Sequence, residues 1–188
     1  MDKGKMEQGI RLLLEGMGVD LSRPVLQDTP ARVVRMYAEV LAGMEQDPHE
    51  VLTVLEEGNH DEIVLLRNIP FYSICEHHLL PFLGEAHVAY LPNRGRITGL
   101  SKLARVVEVL SRRLQTQERL TTQIAEVIMK CLRPKGAMVI IEAEHLCMTM
   151  RGVKKPGSRT VTSVVRGIFR ENPATRAEAM SLIFSARR

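Results

Sequence analysis

IVLLRNIPFYSICEHHLLPFLGEAHVAYLP, residues 63–92, decides the fold class. Residues 63–75 are crowded with β-branched and aromatic side chains, the composition of a strand. After a turn near Pro81, residues 84–92 read as a second strand, ended by the turn-forming run Pro92-Asn93-Arg94-Gly95.

Downstream the period changes to that of helices. In SKLARVVEVLSRRL (101–114), Leu103, Val106, Val107, Leu110 and Leu114 share one face. In QERLTTQIAEVIMKCL (117–132), Leu120, Ile124, Val127, Ile128 and Cys131 do the same, and Pro134 and Gly136 stop the helix. AMVIIEAEHLCM (137–148) returns to period two, TVTSVVRGIF (160–169) is a fourth strand, and ATRAEAMSLIFSA (174–186) is a closing helix. Upstream, Ile10, Leu13, Leu14 and Met17 recur at helical spacing, with Gly16 and Gly18 as stops. In DTPARVVRMYAEVLAGM (28–44), Asp28 or Thr29 can cap, Pro30 suits the first turn, and Val33, Val34, Tyr37 and Leu41 form the stripe. The segment to about Leu55 reads as a further short helix.

The order is helices, two strands, two helices, two strands, one helix. It predicts an α+β fold with a four-stranded antiparallel sheet and helices on one face. Residues 1–60 are expected as an N-terminal helical segment and 61–188 as the catalytic domain, in one structural unit. Such a sheet has two open edges, so self-association is expected.

A hydrophobic content of 45% with 26% charge is enough for one real core. With only 4% aromatics and no Trp, aliphatic residues and ten Met must fill it. No apolar run is long enough for a bilayer, and the N-terminus lacks a secretory signal, which predicts a cytoplasmic protein with reduced thiols. Its three cysteines cannot make a disulfide framework, leaving metal binding or burial. The net charge of +4 suits a phosphorylated small molecule or nucleic acid.

Two short patterns carry chemistry. Cys75-Glu76-His77-His78 lets one turn deliver thiolate and imidazole to one zinc ion. On a strand, His145 and Cys147 would share a face with Ile141 and Ala143, an odd face for a plain core. Together they point to a metal site, structural or catalytic, with more histidines than ligands needed; a surplus histidine suits proton transfer. Cys131, on a helix stripe, reads as core. Ser101, Lys102 and Arg105 open one helix as a phosphate site would, although a plain cap with solvated charges is locally sufficient. Gln117 and Glu118 open the next helix, and Arg151 puts a cation just beyond Cys147.

CEHHLLPF, ITGLSKLARVVE, QTQERLTTQIAEVI, EHLCMTMRGVKKPGSRTVTS and DTPARVVRMY closely resemble GTP cyclohydrolase I, from about residue 5 to the C-terminus. The resemblance implies a tunnelling fold, with two helices on one face of a four-stranded antiparallel sheet, preceded by N-terminal helices. It implies a homodecamer of two pentamers, with active sites between subunits. It also implies conversion of GTP and water to formate and 7,8-dihydroneopterin triphosphate, the entry to folate or pterin synthesis. By matched motif, Cys75, His78 and Cys147 hold zinc, while His77 and His145 are free for proton transfer. Glu118 takes guanine, with Gln117 beside it in that pocket. Ser101 approaches the ribose, and Lys102, Arg105 and Arg151, with Arg32, clamp the triphosphate. A zinc-stabilised nucleic-acid module would need a concentrated basic face and exposed stacking aromatics, whereas the charges here are interspersed and aromatics are few. A pterin-binding relative with altered chemistry would be expected to have lost the CEHH or HLC residues.

Overall fold

The computed structural model describes residues 1–56 and 60–185, in two compact units, Met1–Ala42 and Gly43–Arg188. In the first, α1 (Lys3–Gly16) begins at Asp2, whose carboxylate accepts from the Lys5 amide at 3.0 Å. It packs on α2 (Thr29–Val40), which carries Pro30 in its first turn. Asp28 flanks α2 without capping it, and its carboxylate lies 3.6 Å from the Arg32 guanidinium instead.

The helix expected up to Leu55 is not formed. A single 3-10 turn, Ala42–Glu45, is all that appears. Pro48 disfavours helix at Asp47, and the Asp47 carboxylate accepts from the His49 amide at 2.9 Å, closing a local turn.

The second unit runs β1 (Leu55–Glu56), β2 (Val64–Cys75), β3 (Pro81–Leu91), β4 (Arg96–Ile97), α3 (Leu100–Ser111), β5 (Leu114–Gln115) and α4 (Gln117–Leu132). It continues with β6 (Gly136–His145), α5 (Leu146–Thr149), β7 (Thr160–Gly167), α6 (Ile168–Glu171) and α7 (Pro173–Phe184). Ala186, the expected last residue of the closing helix, lies outside the described residues. No helix among the described residues is long and apolar enough to cross a membrane.

The main sheet has the order β5-β2-β3-β6-β7. Its four long strands are antiparallel neighbours, as the sequence predicts. The expected count of four is corrected by β5, which joins parallel to β2 at Ile74 and Cys75. Two residues carry no periodicity that could have announced it.

The expectation that helices cover only one face also needs correction. Ala86, Val88 and Tyr90 of β3 and Val139, Ile141 and Ala143 of β6 bury under α3 and α4, against Leu103, Leu110, Leu120 and Ile124. The alternate residues Ala89, Leu91, Met138 and Ile140 form a second core with Phe169 of α6 and Ala179 and Ile183 of α7. Each large aliphatic side chain so buried contributes roughly 1.5–3 kcal/mol. Being covered on both sides, β6 is apolar and buried at every position from Gly136 to Ile141.

Strand β6 also ends sooner than expected. Its last partner is Phe82, opposite His145. The next residue of β3 is Pro81, which has no amide hydrogen to extend the ladder. The chain turns into α5 there, so Cys147 sits on a helical turn rather than on the strand face of His145.

Gly84 faces Ala143 across β3 and β6, and a Cβ there would lie 2.0 Å from the Glu142 carbonyl oxygen. Backbone cannot yield as a flexible side chain could. Gly84→Ala is therefore expected to cost at least ~2 kcal/mol, read as a lowered urea midpoint. An unchanged midpoint would contradict the close approach.

Candidate metal centre and its surroundings

The end of β2 and the turn after it build the first half of the centre. The Cys75 carbonyl accepts from the amides of Leu79 (2.9 Å) and His78 (3.4 Å), and the Cys75 amide donates to Leu80 at 2.8 Å. This tight fold-back, with Leu79 at φ 55°, brings His78 Nδ1 to 3.9 Å from Cys75 Sγ. The α5 turn supplies Cys147. Ligand atoms of Cys75, His78 and Cys147 all lie within 4.8 Å of one another, the one such His, Cys, Asp and Glu group found among the described residues.

Cys75 is buried, Cys147 half-buried and His78 exposed. Burial pushes the Cys147 thiol pKa up, and the neighbouring Cys75 sulfur pushes it the same way. A cation held beside this thiol would favour its thiolate form. Two thiolates and an imidazole suit a borderline-soft metal, and three protein ligands leave a fourth position open. The donor set fits a metal ion.

The other two histidines stay outside the cluster. His77 is exposed, its Nε2 3.9 Å from Glu76 Oε1. His145 lies flat on Phe82, with ring centroids 4.6 Å apart and planes within 1°. Its Nε2 is 2.7 Å from Gln117 Oε1. Burial lowers the His145 pKa, and the charge of Glu118 partly offsets this.

Helix α4 starts beside this group. The Thr116 hydroxyl caps it, accepting from the Arg119 amide at 3.3 Å. Gln117 is buried, whereas Glu118 is exposed in the first turn. Arg119 donates to Gln115 Oε1 at 2.9 Å and to the Leu114 carbonyl at 2.8 Å, and it pairs with Glu76. That bond holds the Glu76 carboxyl below its usual pKa and ties the cysteine-histidine turn to α4. Sequence reasoning missed Glu76, Phe82 and Arg119, although all three stand inside the motifs it quoted.

The phosphate candidates are placed elsewhere. The first turn of α3, with Ser101 and Lys102, follows Thr98, whose amide donates to the Tyr90 hydroxyl at 3.2 Å. Tyr90 pairs with Val64, at the far end of β2 from Cys75. The C-terminal end of α3 leads to Leu114, opposite Ile74. Ser101 and Lys102 thus stand about one length of α3, roughly 18 Å, from the Cys75 end, and Arg105 one turn less. One chain does not bring them to the cluster. Arg151 is exposed just past α5, and its charge opposes the rise in the Cys147 pKa. Arg32 belongs to the Met1–Ala42 unit. Cys131 is half-buried against the main core, as expected.

The family profile described as GTP cyclohydrolase I matches residues 6–184. The chain belongs to the GTP cyclohydrolase I family. It is similar to the GTP cyclohydrolase 1 of Carboxydothermus hydrogenoformans, 62% identical over 183 residues that cover 97% of this chain and 95% of that one. The GTP cyclohydrolase 1 of Caldanaerobacter subterraneus subsp. tengcongensis is 58% identical over 187 residues, covering all of both chains. Membership makes this GTP cyclohydrolase I family member an enzyme of the hydrolase class, with GTP as substrate and a place in folate biosynthesis. The family is metal-dependent, in keeping with the cysteine-histidine cluster.

Proposed function

We propose that the chain opens the imidazole ring of GTP at a zinc centre held by Cys75, His78 and Cys147, releasing formate and forming 7,8-dihydroneopterin triphosphate. The observation that carries this is the three-donor cluster, with one coordination position to spare and two histidines just outside it. Zinc bound there supplies Lewis acidity, which makes water a stronger nucleophile near neutral pH.

The chain's own residues do the rest. His145 moves a proton at the guanine nitrogen beside C8, and His77, exposed in its turn, serves the later ring opening and rearrangement. Glu118 presents a carboxylate to guanine N–H groups, a pairing adenine cannot reproduce. Ser101 meets the ribose, and Lys102, Arg105 and Arg151, with Arg32, bind the triphosphate. Because α3 begins at the wrong end of the sheet for its own cluster, Ser101, Lys102 and Arg105 serve a site completed by a second copy, whereas Arg151 stands beside the cluster of its own chain. The exposed edge of β7 and the four long antiparallel strands support a tunnelling-fold assembly of this kind, a decamer of two pentamers in the cytoplasm.

Incubating the purified, metal-loaded protein with GTP should release formate and yield a dihydropterin. An assembled, metal-replete protein that yields neither would sink the reading. Glu118→Ala is expected to keep its metal and lose at least ~100-fold in kcat/KM. Equal turnover of GTP by this variant would remove Glu118 from the base pocket.

A further inference from the structure

Gln117 was expected beside the guanine, yet its side chain is 1% exposed and its amide is fully engaged within the protein. Its Nε2 lies 3.0 Å from the Ile141 carbonyl, 3.0 Å from the Thr160 carbonyl and 3.1 Å from Thr162 Oγ1. Two of these three neighbours are carbonyl oxygens that can only accept. A flipped amide would set its own oxygen against them.

The hydroxyls give the same direction independently. Thr121 Oγ1 is 2.6 Å from the Gln117 carbonyl, so its single hydrogen is spent there. In the 2.7 Å contact between Thr121 and Thr162, Thr121 must then accept and Thr162 must donate. Thr162 Oγ1 is left with only lone pairs for Gln117, and the atom facing it has to be the amide nitrogen. A closed ring from Gln117 Nε2 through Thr162 and Thr121 to the Gln117 carbonyl thus fixes the direction of both hydroxyl bonds and of the amide, whose two hydrogens are shared among three acceptors.

The amide oxygen therefore faces His145 Nε2 at 2.7 Å, and an oxygen cannot donate. We infer that Gln117 is a positioning residue for His145, locking the neutral ring with its hydrogen on Nε2 and making Nδ1 the nitrogen that exchanges protons with the substrate. Phe82, stacked flat on the ring, removes its remaining freedom to tilt. Three of the partners that set the tautomer, Ile141, Thr160 and Thr162, lie on β6 and the edge strand β7, so the register of those strands reaches the imidazole through one amide. The inference rests on the proposed role of His145 in proton transfer; the tautomer itself does not.

Solid-state 15N spectra of histidine-labelled, zinc-loaded protein at pH 8, with His145→Asn to assign the signal, read the tautomer without any turnover. A protonated Nε2 and a bare Nδ1 are expected, and the opposite tautomer overturns the inference. In steady-state kinetics, Gln117→Met should leave the KM for GTP within about threefold and lower kcat ~10–100-fold. A raised KM with kcat kept would return Gln117 to the guanine pocket and overturn it as well. Thr162→Val should lower kcat severalfold and Thr162→Ser should restore it; a fully active Thr162→Val removes the ring from the argument and overturns it. Wild-type protein with the expected tautomer but no action on GTP would fail the proposed function alone.

Discussion

Cys75→Ser is expected to leave the protein without metal and without formate release, a loss of at least ~1,000-fold. Serine keeps the size of the side chain but replaces a thiolate by a hydroxyl, which zinc does not hold at neutral pH. The position cannot be spared, because only three donors gather and a third of the set is gone. Cys75 also closes the turn through its backbone, with the Leu80, His78 and Leu79 bonds all made by main-chain atoms. Those bonds survive the substitution, so the fold should persist with a circular dichroism spectrum like the wild type's. Metal per protomer by atomic emission, beside formate release, checks this. A variant that retains one metal per protomer and full turnover would exclude Cys75 as a ligand.

The second large effect is expected at His145. His145→Ala should retain the metal, because its ring lies outside the three-donor cluster, and should lose ~100–10,000-fold in formate release. Its removal strips the stacked partner from Phe82 and leaves Gln117 Oε1 without its bond. A buried acceptor so orphaned costs roughly 1–3 kcal/mol, a fall in stability that urea unfolding would register separately from the rate. Loss of metal together with activity would instead make His145 a ligand. An unimpaired rate would take it out of the chemistry.

Much of the fold was legible because its signals are local. The β-branched and aromatic composition of residues 63–75 and the stripes of 101–114 and 117–132 place β2, α3 and α4 within a residue or two at most ends. The rest depended on contacts distant in sequence. The second core under α6 and α7 arises because Phe169 and Ile183 find Met138 and Ile140, on the sheet face that the expected one-sided helix layer would have left open. Strand β6 stopped at His145 because of Pro81, over sixty residues earlier in the chain.

At the site, the cysteine and histidine spacing already announced a metal, but spacing alone left His77, His78 and His145 equal. Which histidine joins the cysteines is a matter of backbone geometry: the fold-back at Leu79 brings His78 Nδ1 to Cys75 Sγ and leaves His77 outside the cluster, beside Glu76. Sequence adjacency placed Gln117 with Glu118 in one pocket. The helix separates them, since neighbouring residues point about 100° apart, burying one and exposing the other.

The sequence by itself determined the α+β class, the four long strands and the residue types of the metal site. Those follow from hydrophobic period and ligand chemistry, which act residue by residue. Only the tertiary structure decided that Cys147 sits on a helical turn, that α3 starts far from its own cluster, and that a glutamine amide faces a histidine. Each of these depends on hydrogen bonds or strand ends between segments 20 to over 60 residues apart, whose pairing no local pattern encodes.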